Sequence, residues 1–288
     1  MEGEKPYLAV IRMGFIDDKT IKEIIRVLNR CYSVVKEAKK PDLVELHVFE
    51  KKAHLRLFLE KEKKRIGVGT GFDEAFLTMH EAWTGIPRIL VCLERAEETP
   101  REVFEGALLH EAAHSILHGS IEYYLLNVSP SFIDFSLKFG LPVHAVRDIA
   151  YLSSLALKDN EVTKFLYENG FIEDQMSFII YFLRPSAEEK ATWVIAEKSP
   201  VTAILFLVSI LKSLACALPL TCEKRYGAMI RREISSSINF LSKGYRDFIW
   251  EILASFEKMQ GEFSKDLDTL LGEVSNRLYP LLSKKSSF

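Results

Sequence analysis

Apolar and polar positions change rhythm near residue 98. Before it, short apolar runs alternate with amphipathic stretches. Tyr7, Leu8, Ala9, Val10 and Ile11 make a run of strand length, and after Asp17 and Asp18 apolar positions recur at helical spacing to about Val35. Leu43, Val44, Glu45, Leu46, His47, Val48 and Phe49 follow with a period of two, predicting a strand with one face in solvent. Residues 51–64 are charged on one side, carry Leu55, Leu57, Phe58 and Leu59, and predict a helix. Ile89, Leu90, Val91 and Cys92 belong to a short apolar strand at 88–93, after the turn residues Thr84, Gly85, Ile86 and Pro87.

After residue 98 the pattern is helical almost throughout. Thr99, Pro100 and Glu102 predict a helix start, with a threonine cap, proline in the first turn and glutamate closing a capping box. That helix is expected to run to His118, with Gly119 supplying a left-handed end. Ser186 with Glu189, and Ser199 with Pro200, mark two further starts, and residues 143–167 predict one long helix or two abutting ones. The pattern therefore predicts an α+β chain: a small mixed N-terminal sheet with helices at 1–120, then a helical subdomain at 121–288. Residues 201–218 are apolar apart from Thr202, Ser209, Lys212 and Ser213 and approach the length of a membrane span. With Lys212 inside and no polybasic flank, a buried central helix is the expectation, and membrane attachment the alternative.

Composition narrows the function. Lys plus Arg number 38 against 40 Asp plus Glu, so nothing favours nucleic acid as the main partner. Cys31, Cys92, Cys216 and Cys222 form no Cys-x-x-Cys pair, which argues for reduced thiols over a disulfide framework or thiolate metal site. The start of the chain, Met1 to Pro6, is polar and acidic, unlike a secretory signal, so a cytoplasmic protein is expected. Abundant Lys and Glu with sparse Asn and Gln suit a thermophile.

Within the capped helix stands His110-Glu111-Ala112-Ala113-His114. Histidines four apart are one above the other on a helix, about 6 Å apart along the axis, and both imidazoles can meet one tetrahedral zinc ion. Glu111 projects about 100° round from His110, beside the metal, where a general base for water belongs. From the chain's own composition, roughly 0.02 matches to this pattern arise by chance. Between Ala107 and Leu117 the only carboxylate is Glu111.

This helix, following an α/β half, resembles those of the zincin metallopeptidases. Its continuation His114-Ser115-Ile116-Leu117-His118 is similar to the pattern in the metallopeptidases of bacterial DNA-damage response and mobile-element immunity. The resemblance is carried by residues 99–119. It implies a sheet with an edge strand for substrate, an active-site helix and a helical lower half. Leu117 and Ser120 occupy the positions where metzincins carry glycine and histidine, which excludes that class. His118 lies about 12 Å along the helix from His110 and is expected to cap or pack. A carboxylate third ligand remains, as in gluzincins. Asn160-Glu161 resembles the Asn-Glu pair of the third-ligand helix in thermolysin-like enzymes, so Glu161 is the expected ligand and Asp148 the reserve, among downstream acids that include Glu122, Asp134, Asp159, Glu168 and Glu173. Those enzymes place an aspartate four residues on; here it is Phe165, and support for the histidines must come from elsewhere.

The expected function is hydrolysis of peptide bonds by a zinc-dependent metallopeptidase of gluzincin type, with zinc on His110, His114 and Glu161 and with Glu111 as general base. The substrate would be a peptide or protein strand adding to a sheet edge at 89–93 or 76–80. His144, Arg147, Tyr151 and Tyr167 are candidates to stabilise the oxyanion; His47, His54 and His80 read as core or solvated histidines. The alternatives are a peptidase-like binding or regulatory protein and a membrane-associated metallopeptidase. Nothing in the sequence sets an oligomeric state.

Overall fold

A computed structural model of the chain describes residues 5–35, 40–66 and 76–283, so Met1 to Glu4 of the polar start lie outside the described residues. The fold is α+β, with a small mixed four-stranded sheet and many helices. The chain resolves into two compact units, one of residues 1–124 with Phe165–Phe178 and the other of residues 125–164 with 179–288.

The first unit contains β1 (Tyr7–Met13), α1 (Asp18–Val34), β2 (Leu43–Phe49), α2 (Lys52–Ile66), β3 (Thr78–Glu81), β4 (Arg88–Cys92), the single turn α3 (Leu93–Glu97) and α4 (Arg101–Leu117). Asp17 caps α1 by accepting from the Thr20 N–H at 2.9 Å. The sheet order is β1-β2-β4-β3; the first three are parallel and β3 runs antiparallel against β4. β2 thus lies between two strands, and Leu46, His47, Val48 and Phe49 are all buried. The solvent face expected of it does not exist, because helices cover the sheet on both sides as in other parallel arrangements. Leu55 and Leu59 of α2 pack with Phe49, Leu90, Cys92 and Met79 on one side.

Two expectations about α4 need correction. No side chain caps it: Pro100 is the cap residue, and the Thr99 hydroxyl donates instead to the Arg95 carbonyl at 2.7 Å, closing α3. Nor is Gly119 left-handed, since it is not among the glycines of positive φ. The helix ends at His118, whose N–H donates to the His114 carbonyl at 2.7 Å. Glycine is needed at 119 because an added Cβ would overlap the Ser115 carbonyl oxygen and stand 3.1 Å from Pro87.

The second unit is helical, with α5 (Pro130–Phe139), most of α6 (Val143–Glu168), the end of α7 (Ile172–Leu183), α8 (Ala187–Ala196), α9 (Pro200–Ala217), α10 (Gly227–Ser237), α11 (Lys243–Ser255) and α12 (Phe263–Ser283). The Ser186 capping box at α8 forms as the sequence predicts, and 143–168 is one unbroken helix. Pro200–Cys222 has a mean hydropathy of 2.3 and is long and apolar enough to cross a membrane by length and composition alone; 56% of its most apolar window is buried. Asn160 of α6 donates to the Ala215 carbonyl of α9 at 2.8 Å, and Lys212 stands 3.9 Å from Asp159.

Candidate metal and catalytic site

α4 brings His110, Glu111 and His114 into one buried cluster. His110 and His114 are 3% and 8% exposed, and their Nε2 atoms lie 3.1 Å apart. Two imidazole nitrogens facing at that distance need a shared proton or a shared cation between them. For zinc bonded at about 2.05 Å, the edge of the tetrahedron is about 3.3 Å, so the pair fits two ligands of one ion. The donor set is also right, as neutral imidazoles and carboxylates suit zinc.

The other nitrogen of His114 is engaged as well: Nδ1 is 3.0 Å from Nδ1 of His118. A His114 that offers its Nε2 lone pair carries its proton on Nδ1 and donates it to His118. His118 is fully buried, caps the helix and packs edge-on against Tyr123 with ring centroids 4.8 Å apart. It therefore has the capping and packing role expected of it, and it also orients His114, the support that Phe165 does not supply.

β3 faces α4 through alternate residues. Thr78 donates from Oγ1 to Glu111 Oε1 at 2.9 Å, fixing the carboxylate. Two residues on, the His80 ring lies parallel to that of His114, with 3° between planes and 5.7 Å between centroids. Tyr124, at the end of the 3₁₀ turn Ile121–Tyr124, places its hydroxyl 3.1 Å from His80 Nδ1. Met79, between them, packs on the opposite side toward α2. This alternation depends on register, and a buried ion pair holds it: Glu81 and Arg88 face each other across β3 and β4 and are in contact. Arg88 also donates to Glu62 at 3.0 Å and lies over the Trp83 ring at 4.8 Å.

The rest of the first unit anchors α4. The Ser115 hydroxyl donates to the Ala112 carbonyl at 2.7 Å, so the Tyr32 hydroxyl, 2.8 Å away, donates to Ser115 and ties α1 to the helix. Burial pushes the Tyr32 phenol well above its ordinary pKa, which keeps that donor protonated. At Gly106 the start of α7 comes so close that a Cβ would overlap the Asp174 carbonyl; Gln175 donates to the Gly106 carbonyl at 3.1 Å. Phe178 then packs 5.0 Å from the His110 ring.

The remaining candidates are distributed as follows. Glu161, Asp148 and Asp159 all lie on α6 in the second unit; Glu161 is half-buried, Asp148 exposed and Asp159 buried at 5%. His144, Arg147 and Tyr151 are exposed on the same helix, and Tyr167 is half-buried in the first unit's share of it. His47 is a core histidine: burial lowers its pKa, and Nε2 is 3.0 Å from Glu45. His54 is half-buried. The 89–93 stretch cannot serve as an edge, because β4 is paired on both sides; of the two proposed edges only β3 is one.

Sequence reasoning missed Thr78, His80 and Tyr124. The local signal for Thr78 and His80 is the 76–80 segment, an expected sheet edge; Tyr124 meets His80 across 44 residues of chain and has none. Comparison with known protein families, with characterised proteins and with solved structures returned no match.

Proposed function

We propose that this protein is a zinc-dependent metallopeptidase of zincin type that hydrolyses peptide bonds. The observation that carries the reading is the pairing of His110 and His114 through Nε2 at 3.1 Å beside a Glu111 carboxylate fixed by Thr78. A histidine pair alone would suit a structural metal; a buried carboxylate held next to it is what proton transfer requires. His110 and His114 would hold zinc, which when bound polarises a carbonyl and makes water more acidic. Glu111 accepts the proton of the attacking water and returns it to the departing amine. His118 holds the tautomer of His114, and the β3 edge offers backbone groups to an extended peptide.

The third ligand is proposed from α6. Glu161 is the residue the resemblance selects, with Asp148 its reserve.

The test is zinc content and cleavage of a mixed fluorogenic peptide library by the purified chain. Expected are one zinc per chain, hydrolysis abolished in Glu111→Gln with zinc retained, and zinc lost in Glu161→Gln. Absence of stoichiometric zinc, or full hydrolysis by Glu111→Gln, overturns the reading. Zinc without hydrolysis would favour the binding or regulatory alternative.

A further inference from the structure

We propose that His80 is a catalytic residue of this site, donating a hydrogen bond to the oxyanion that forms when water adds to the scissile carbonyl. The inference rests on the peptidase reading. Residues 78 and 80 point to the same side of β3. One of them fixes the general base, and the other lays its ring parallel to that of His114, 5.7 Å away. His80 thus stands among the groups that would handle the water and the metal, on the strand along which a peptide would add.

Tyr124 makes the ring a directed donor. The phenol hydroxyl at 3.1 Å is the better proton donor, so Nδ1 accepts from it and the proton of the neutral imidazole is on Nε2. The Tyr124 ring also packs against His80 at 6.4 Å with 51° between planes, which limits rotation. A donor fixed before the charge develops, on a strand rather than a loop, is the arrangement that lowers a barrier without reorganisation.

In the proposed step the water oxygen bonds to the carbonyl carbon while Glu111 takes the water's proton. The π pair of the carbonyl moves onto oxygen, where the His80 N–H meets it. Its return re-forms the carbonyl and breaks the C–N bond, and the proton on Glu111 goes to the amine.

The experiment uses the full chain loaded with zinc, and one fluorogenic peptide that the wild type cleaves. Loss of one oxyanion donor lowers kcat by roughly 100-fold, so His80→Ala is expected to fall by that factor, with KM and bound zinc unchanged. Tyr124→Phe, which frees the ring without removing it, is expected to lose about tenfold, and the double variant to be no worse than His80→Ala. Titration calorimetry gives a second readout: a phosphinic peptide mimicking the tetrahedral intermediate should bind His80→Ala about 100-fold more weakly, while the uncleaved parent peptide binds Glu111→Gln equally well with or without His80→Ala. If His80→Ala does not fold, Tyr124→Phe decides, through kcat and phosphinic-peptide affinity. Near wild-type values for both variants overturn the proposal, as does loss of zinc in folded His80→Ala, which would make His80 a ligand. A wild type no better than Glu111→Gln overturns the peptidase reading itself. Cleavage lost in Glu111→Gln but intact in His80→Ala overturns only the role of His80.

Discussion

Replacing His118 with phenylalanine separates orientation of the site from packing of the fold. The substitution deletes the Nδ1 acceptor 3.0 Å from His114. It keeps an aromatic ring against Tyr123, and the backbone cap from the residue 118 N–H to the His114 carbonyl needs no side chain. In the zinc-free variant His114 has a second choice, because its proton can move to Nε2 and be shared with His110 at 3.1 Å. With zinc on Nε2 that choice is gone, and an Nδ1–H is buried without its acceptor at a cost of about 1–3 kcal/mol. Orienting partners of metal-bound histidines contribute about 10–100-fold in affinity, which at about 1.4 kcal/mol per decade is a similar 1.4–2.8 kcal/mol. The two routes agree, so His118→Phe is expected to weaken zinc binding by 10–100-fold. Competition against a chromogenic chelator of known affinity measures it, and thermal melting of the metal-free protein controls for packing. A zinc affinity within about twofold of wild type, in a folded variant, would refute the orienting role.

Three further outcomes follow from other parts of the structure. Arg88→Met leaves the Glu81 carboxylate buried without its cation, while Glu62 keeps Arg65 at 3.1 Å, and is expected to cost about 3–5 kcal/mol in urea unfolding; Arg88→Lys should recover only part, as ammonium cannot serve both acids as a fork. Gly119→Ala is expected to lower stability by about 1–3 kcal/mol through overlap with the Ser115 carbonyl and Pro87, read as a fall in Tm with zinc stoichiometry intact. Burial lowers the Lys158 ammonium to about 8, with Asp159 opposing the shift, against 10.5 for an ordinary lysine. Between those values the unfolded chain binds the extra proton, so wild-type stability relative to Lys158→Met should rise with pH across that window and be lowest below it. Urea unfolding of both proteins at neutral and alkaline pH checks it, and a pH-independent difference would refute it.

How much of this was legible in the sequence depends on the range of the interaction. β1, α1 with its Asp17 cap, and the Ser186 capping box depend on residues within a few positions, and the pattern locates them. The cap at Thr99 failed for a reason invisible locally: the preceding turn α3 competes for the same hydroxyl. β2 seemed half-exposed because Glu45 and His47 interrupt the apolar run, yet its middle position in the sheet buries His47 against Phe58. In the site, the i, i+4 spacing put His110 and His114 together without further information. Thr78 and His80 meet α4 across more than thirty residues of chain, and Tyr124 reaches back over a similar span, so no periodicity could join them. The attachment of Phe165–Phe178 to the sheet-bearing unit likewise has no signature in hydrophobic pattern.

The Glu81–Arg88 contact has an evolutionary consequence. A slip of β3 by one residue would turn Met79 toward α4 and carry Thr78 and His80 to the other side. On the proposed peptidase reading, selection for hydrolysis acts on two charges that hold the strand rather than the substrate. Loss of Arg88 strands Glu81 in the interior, whereas loss of Glu81 leaves Arg88 on Glu62 at 3.0 Å, so the penalty is one-sided. Divergent copies of this protein should change Glu81 more readily than Arg88, and libraries randomised at both positions and selected for activity should recover replacements of Glu81 alone while discarding those of Arg88 alone.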